Sequence, residues 1–429
     1  MTNGRCSVWL CGAAWVASVW AVADRCSAAD WPQYRGPNCD GTTPETILTT
    51  WPQEGPKVIW KVPVGESFGS FAVSGGKAFI FGERAGDEVC SALDAGTGKE
   101  LWSYAAGKTI FDKSGGPGPR TTPTVDGDRV YLLGTYLTLV CLNAADGKEV
   151  WKHDLPKEFG GTMQVRASGI SSWGSAASPL LDGKLIYVNG GGKDQTLLAL
   201  DKTTGAVVWK GGNELLTHST PAPGTILGQR QIVFFCQSGL VSVAADTGKA
   251  LWRYPFKFNV STASTPLIAG DIVYCSAGYD VGTDACRITK EGDAWKATKL
   301  WHAGQPVCNH WTTPVVKDGY VYGIYGFKDY VAPNKPGAPL KCIELATGKE
   351  MWSKAGFGSG GGTILVGGNL LVQGDAGALV LVEAAPTAYK ELARCTPLGG
   401  KCWTMPVVSN GRIYARNTKQ GVCLDVTAK

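Results

Sequence analysis

The sequence predicts an all-β, eight-bladed propeller of four-stranded antiparallel blades. Three observations carry that prediction. A ten-residue motif ending in tryptophan recurs along the chain, a Ser/Thr-Pro motif precedes most copies of it, and glycine and tryptophan are abundant at 58 and 16 of 429 residues. Self-similarity at a period near 45 residues is the signature of blades stacked around an axis.

The first motif runs Leu93-Asp94-Ala95-Gly96-Thr97-Gly98-Lys99-Glu100-Leu101-Trp102. It returns at 142–151, 200–209, 243–252 and 343–352. The tryptophans at 60, 102, 151, 209, 252, 301 and 352 lie 42 to 58 residues apart, which suits one blade each. The Asp-x-x-Thr-Gly part reads as a hairpin turn. Glycine takes the left-handed position while the Asp and Thr side chains satisfy local amides. The tryptophan then falls on the outermost strand, where its face can pack on the next blade. These residues are fully explained by architecture and carry no catalytic expectation.

The second motif is clearest in Thr122-Pro123-Thr124-Val125-Asp126-Gly127-Asp128-Arg129-Val130-Tyr131, with relatives at 178–187, 265–274, 313–322 and 405–414. A short apolar strand, an Asp-Gly type turn and a second apolar strand form a tight hairpin. Seven blades follow at about 66–102, 119–151, 173–209, 217–252, 261–301, 310–352 and 358–394, the fifth and seventh degenerate. Residues 401–427 supply three strands, and Val58-Ile59-Trp60-Lys61-Val62 supplies a lone one. Pairing the N-terminal strand with the C-terminal strands completes an eighth blade and removes the exposed edges.

Residues 1–29 read as a cleavable export signal. Arg5 is the positive start, Cys6–Ala23 the apolar stretch, and cleavage after Ala23 or Ala29 both suit small-residue sites. Residues 30–56 form an N-terminal extension and 57–429 the propeller. The protein is therefore expected in the periplasm or outside the cell, with no transmembrane segment after the signal. The residues before Cys11 and Cys26 do not suit lipid attachment. Eleven of the 14 cysteines lie beyond the signal. Cys141, Cys342 and Cys423 share a strand register with Ala92 and Ala199, as small buried hydrophobes would. A Cys275–Cys286 disulfide is one open alternative. The net charge of +5 is dispersed, which argues against nucleic-acid binding.

These repeats resemble the pyrroloquinoline-quinone-like, or quinoprotein, propeller family over nearly all of 57–427. That family includes quinone-dependent alcohol and sugar dehydrogenases and the non-catalytic B subunit of the outer-membrane β-barrel assembly machine. The opening Trp31-Pro32-Gln33-Tyr34-Arg35-Gly36-Pro37-Asn38 also resembles the start of a group of exported bacterial propellers. The resemblance implies either an envelope scaffold that binds a protein or small ligand, or a dehydrogenase using pyrroloquinoline quinone with calcium. The dehydrogenases carry an adjacent cysteine pair and a Glu/Asn/Asp calcium set. No Cys-Cys occurs in this sequence, and most of its carboxylates fall in turns. The expectation is a non-catalytic propeller with no catalytic residue, metal site or resident cofactor, and the quinone enzyme is the alternative. An extracellular sugar-binding or sugar-cleaving module is a third possibility.

Chance motifs are set aside on context. Gly65-Glu66-Ser67-Phe68-Gly69 lies between strands with no helix to form a nucleophile elbow. The glycine-rich run 356–361 leads into a strand, not a helix N-terminus.

One constellation is a candidate binding site. The position three residues before the repeat's proline holds Arg120, His218, Trp311 and Trp403, with His310 beside Trp311. Arg166 and Trp173 lie in the longest insertion between blades. Propeller symmetry gathers such positions at one mouth of the central channel. There they either fill the channel or bind an anionic ligand, a glycan or a protein loop. The long connections 103–119 and 152–172 are expected to project from the same mouth.

Overall fold

A computed structural model describes residues 1, 30–112, 116–162, 173–258, 260–304, 307–326 and 337–428. The expected ring is present, with eight four-stranded antiparallel blades. Blade 1 comprises Ala72–Ser74, Lys77–Arg84, Asp87–Asp94 and Glu100–Lys108, from the axis outward. Blades 2 to 7 repeat that order, beginning on the inner strands Thr124–Asp126, Leu180–Asp182, Ala222–Ile226, Leu267–Ala269, Val315–Lys317 and Gly362–Val366. Blade 8 takes three strands from the C-terminus, Val407–Ser409, Arg412–Arg416 and Gln420–Asp425. Its outer strand is Lys57–Pro63, antiparallel to Gln420–Asp425. The ring thus closes by mixing the two ends of the chain.

The core lies between blades rather than within them. Phe79, Phe81 and Cys90 of blade 1 form one fully buried cluster with Val130, Leu132 and Val140 of blade 2. Cys141, Cys342 and Cys423 are 0 % exposed, like Ala92 and Ala199 in the same register. Cys275 and Cys286 are free thiols. The disulfide alternative fails on register, because Cys275 pairs with Asp284 and Cys286 with Val273.

The repeat motifs do the work their chemistry suggests. Asp94 Oδ1 accepts from the Gly96 and Thr97 amides and the Thr97 hydroxyl. Trp60, Trp102, Trp209, Trp301 and Trp352 donate their indole N–H to a backbone carbonyl of the following blade at 2.8–3.1 Å. The turn glycine lies flat beneath the previous blade's indole. At Gly147, with φ 73°, an added Cβ would sit 2.6 Å from the Trp102 ring. The glycine therefore serves both the turn and the stacking.

The Ser/Thr before the proline staples neighbouring inner strands. Ser70 N donates to Thr122 Oγ1 at 3.0 Å, Thr122 N to Ser178 Oγ at 2.9 Å, and Ser178 N to Thr220 Oγ1 at 2.9 Å. Thr265 N donates to Thr313 Oγ1 in the same manner. Inner-strand amides at a closed ring's axis have no further strand to pair with, and the hydroxyls satisfy them.

The N-terminal extension is part of this architecture, a role the sequence reading had not given it. Residues 30–43 form a finger inside the channel. Asp30 accepts from Ser74 and Gly75 at the blade 1 turn, and Trp31 pairs with Val73. Gln33 bonds Leu181 of blade 3. The finger reverses near Arg35 and Gly36, whose φ values are 65° and 78°. It returns with Thr42–Thr43 parallel to Leu365–Val366 of blade 7. Arg35, 1 % exposed, donates to the carbonyls of Cys39, Asp40, Thr313 and Pro314. Beyond the finger, Glu45 accepts from the Asn410 and Gly411 amides of blade 8.

Candidate binding cup at the channel mouth

Strand alternation puts the starts of all inner strands at one mouth, together with the connections between blades. A cavity of about 310 Å³ opens there. The finger enters from the opposite mouth, and Tyr34 near its tip lines the cavity, with its hydroxyl 3.3 Å from Thr313 Oγ1. The space is therefore a cup floored by the extension.

Arg120, Trp173, His218, His310, Trp311 and Trp403 all line the cup. Arg166 lies outside the described residues. The structure thus brings together every predicted site residue that it describes. Sequence reading missed Phe68, Tyr34 and Tyr279, which also line it, and Lys401 beside it. Phe68 had a signal available: it stands three residues before Phe71, which replaces the repeat proline in blade 1.

The cup is chemically two-sided. One side is an aromatic belt. Tyr279 meets His310 edge-on at 4.9 Å, His310 meets Trp311 at 4.8 Å, and Trp311 stacks on Trp403 at 5.0 Å and 29°. Phe68 follows at 5.9 Å from Trp403. Trp311 belongs to blade 6 and Trp403 to blade 8, so their stack bridges blade 7. Glycine makes this possible: a Cβ at Gly360 would lie 1.9 Å from Trp403 Cδ1. Lys401 Nζ sits 4.2 Å from the Trp403 ring centre, a cation–π contact.

The other side mixes polar groups with Trp173, whose ring lies 5.8 Å from that of His218. Arg120 lies 5.3 Å from the Phe68 ring and donates to Gly118 O. Thr122, Ser178 and Thr220 line this wall. His218 is held at both nitrogens, Nε2 against Gly174 O at 3.0 Å and Nδ1 against Ser261 Oγ at 2.8 Å. Burial, together with the nearby His218, depresses the pKa of His310 to about 3, so its imidazole is neutral at physiological pH.

No Asp, Glu or Asn is among the described residues lining the cup. No group of three His, Cys, Asp or Glu among the described residues is placed to hold a metal ion. The oxygen donors that a calcium-bound quinone needs are thus not supplied here, and the cationic Arg120 disfavours a divalent cation. The described residues of the cup do not fit that cofactor pair.

Fold and cup define the class: a closed eight-bladed quinoprotein-type propeller with a ligand-sized cup at one mouth. Residues 85–330 match the family described as outer membrane protein assembly factor BamB. The chain belongs to that family. A BamB of Moranella endobia is 24 % identical over 265 residues, covering 60 % of this chain and 62 % of the relative. This chain thus spans less than two thirds of that relative's length. The crystal structure of BamB from Moraxella catarrhalis superposes with a TM-score of 0.56 at 14 % identity, over 87 % of this chain and 98 % of that one. The quinohemoprotein alcohol dehydrogenase of Comamonas testosteroni gives 0.62 at 13 %, over 93 % and 81 %. These two likenesses concern the fold.

Proposed function

We propose that the protein is an exported, non-catalytic propeller of the cell envelope, a scaffold of the outer-membrane-protein-assembly type that binds a partner at the cup-bearing mouth. The carrying observation is the rim. Phe111, 72 % exposed, lies on the connection between blades 1 and 2, and Tyr136, 42 % exposed, on the neighbouring hairpin turn. Both stand on the same mouth as the cup. Exposed aromatic side chains beside a rigid concavity are what a protein-binding surface offers. Membership of the BamB family supports an envelope location and an envelope protein as partner. No helix among the described residues is long and apolar enough to cross a membrane.

The test is removal of the gene in the source organism, with quantitative proteomics of the envelope. An assembly scaffold predicts a selective fall in outer-membrane β-barrel proteins, restored by the wild-type chain and not by a Phe111→Ala, Tyr136→Ala double variant. Unchanged barrel levels would refute the assembly role.

A further inference from the structure

We propose that the channel carries a strand-addition site on the inner edges of blades 5 and 6, which takes an extended segment of a partner polypeptide by main-chain pairing. The site lies beside the finger, toward the mouth through which the finger enters, and is separate from the cup.

The repeat fixes which backbone groups face the axis. The residue two positions after the repeat proline, or after Phe71 in blade 1, stands opposite the second strand in one shared register. The pairs are Val73 with Ala78, Val125 with Val130, Leu181 with Ile186, Ile268 with Val273 and Val316 with Val321. The finger shows where the N–H and C=O of that residue point. Val73 exchanges both with Trp31 at 2.8 Å, the Val125 amide donates to Pro32 O at 2.7 Å, and Leu181 exchanges both with the Gln33 side-chain amide. On blade 7 the returning arm covers the edge, with Leu365 N donating to Gly41 O and Gly367 N to Thr43 O. Blade 4 has Pro223 at this position, which offers no N–H. Val408 of blade 8 is fully buried. Ile268 and Val316 are the exceptions. Their register points their N–H and C=O into the channel, and among the described residues no hydrogen bond joins either one to the finger. Both are half-buried and line a second cavity, of about 210 Å³, whose facing wall includes Asn38 and Thr42 of the returning arm.

An open strand edge is a template for another chain, and strand addition is how extended polypeptides read one. The finger shows the chemistry of the occupant, because it meets the edges of blades 1, 2, 3 and 7 with main chain or with a carboxamide that mimics it. Charge gives the site no preference. Asp40 Oδ1 accepts from Thr42, and the Arg35 guanidinium beside it offsets the carboxylate. The blade 5 edge, Leu267–Ala269, is three residues long, which matches about 10 Å of extended chain at about 3.3 Å per residue. The walls formed by Ala222, Pro223 and Pro266 are small and apolar, so small or β-branched side chains fit between them.

Asn38 gives a test that spares the ring. It is exposed and lines the cavity, so Asn38→Trp fills the space and leaves the finger's buried contacts in place. The experiment pans a phage-displayed library of random short peptides on the purified protein. Enriched sequences are synthesised and titrated by calorimetry against wild type and Asn38→Trp, with melting curves and sedimentation on both proteins. Each peptide is then remade with a single N-methyl group at successive residues, a scan that needs no protein variant. The proposal expects a Kd below about 1 mM, weakened at least about tenfold by Asn38→Trp. It expects N-methylation to abolish binding at alternate residues, the period of a paired strand. No enrichment, equal binding to Asn38→Trp, or an N-methyl scan without alternation would each overturn it. Self-association of the protein that Asn38→Trp breaks would assign the edge to a second copy of this chain and overturn it as well. None of these outcomes alters the reading of the cup-bearing mouth, which is tested through Phe111 and Tyr136.

Discussion

Arg35→Ala is the most informative single perturbation of the fold. Arg35 is fully buried within the finger, and four backbone carbonyls surround its guanidinium. The nearest are Asp40 O at 2.6 Å and Pro314 O at 2.9 Å. Alanine leaves those two without their donor, at a cost of about 1–3 kcal/mol each. Burial also disfavours the charged guanidinium, lowering its pKa, so its removal returns part of that cost. The net loss is about 2–4 kcal/mol. An unfolding entropy of about 2.1 cal/mol/K per residue over roughly 400 residues converts this into a fall in Tm of about 2–5 °C. Calorimetry of the variant measures it. Arg84→Ala is the control, since its partner Glu100 lies at 2.6 Å on the surface with both side chains well exposed, and such pairs contribute about 0–1 kcal/mol. If Arg35→Ala melts within about 1 °C of wild type, the finger is not an integral part of the ring and the argument for the cup's floor fails.

Other consequences are testable separately. Gly147→Ala should destabilise more than Gly127→Ala in denaturant titrations: both glycines have positive φ, but only Gly147 would drive a Cβ into an indole. Ser178→Ala strands the Thr122 amide between blades and should cost about 1–2 kcal/mol in the same assay. His310 has a folded pKa near 3, below its unfolded value, so the unfolded chain binds more protons in acid. Its contribution should leave stability flat above about pH 6.5 and reduce it by up to about 1.4 kcal/mol per pH unit as pH falls toward 3. His310→Gln should flatten that slope in melting curves taken across the range. Ten of the eleven cysteines from Cys39 to Cys423 are buried thiols and Cys395 is half-buried. A thiol reagent should therefore label at most Cys395 in the native protein and all eleven after denaturation without reductant.

Much of the architecture was legible because its chemistry repeats. Each Asp-x-x-Thr-Gly turn and outer tryptophan reports the same local geometry, so five imperfect copies sufficed to count blades. The same register carried Arg120, His218, Trp311 and Trp403 to one mouth, because equivalent positions on symmetric blades converge on the axis. Non-repeating contacts were not legible. Trp31, Tyr34 and Arg35 belong to no repeat, and their partners Val73, Thr313 and Pro314 are up to 279 residues away. Tyr279 reaches the cup from a degenerate hairpin. Gly360 matters through space left for a side chain of a different blade, which no local pattern encodes.

The most direct test of the account is site-specific photo-crosslinking in intact cells. A photoreactive residue would replace Tyr136 and Lys401 at the cup-bearing mouth, and Lys57 and Val150 on exposed outer strands. The account predicts adducts to an envelope protein from the two mouth positions and none from the outer strands. Adducts from the outer strands, with none at the mouth, would contradict it.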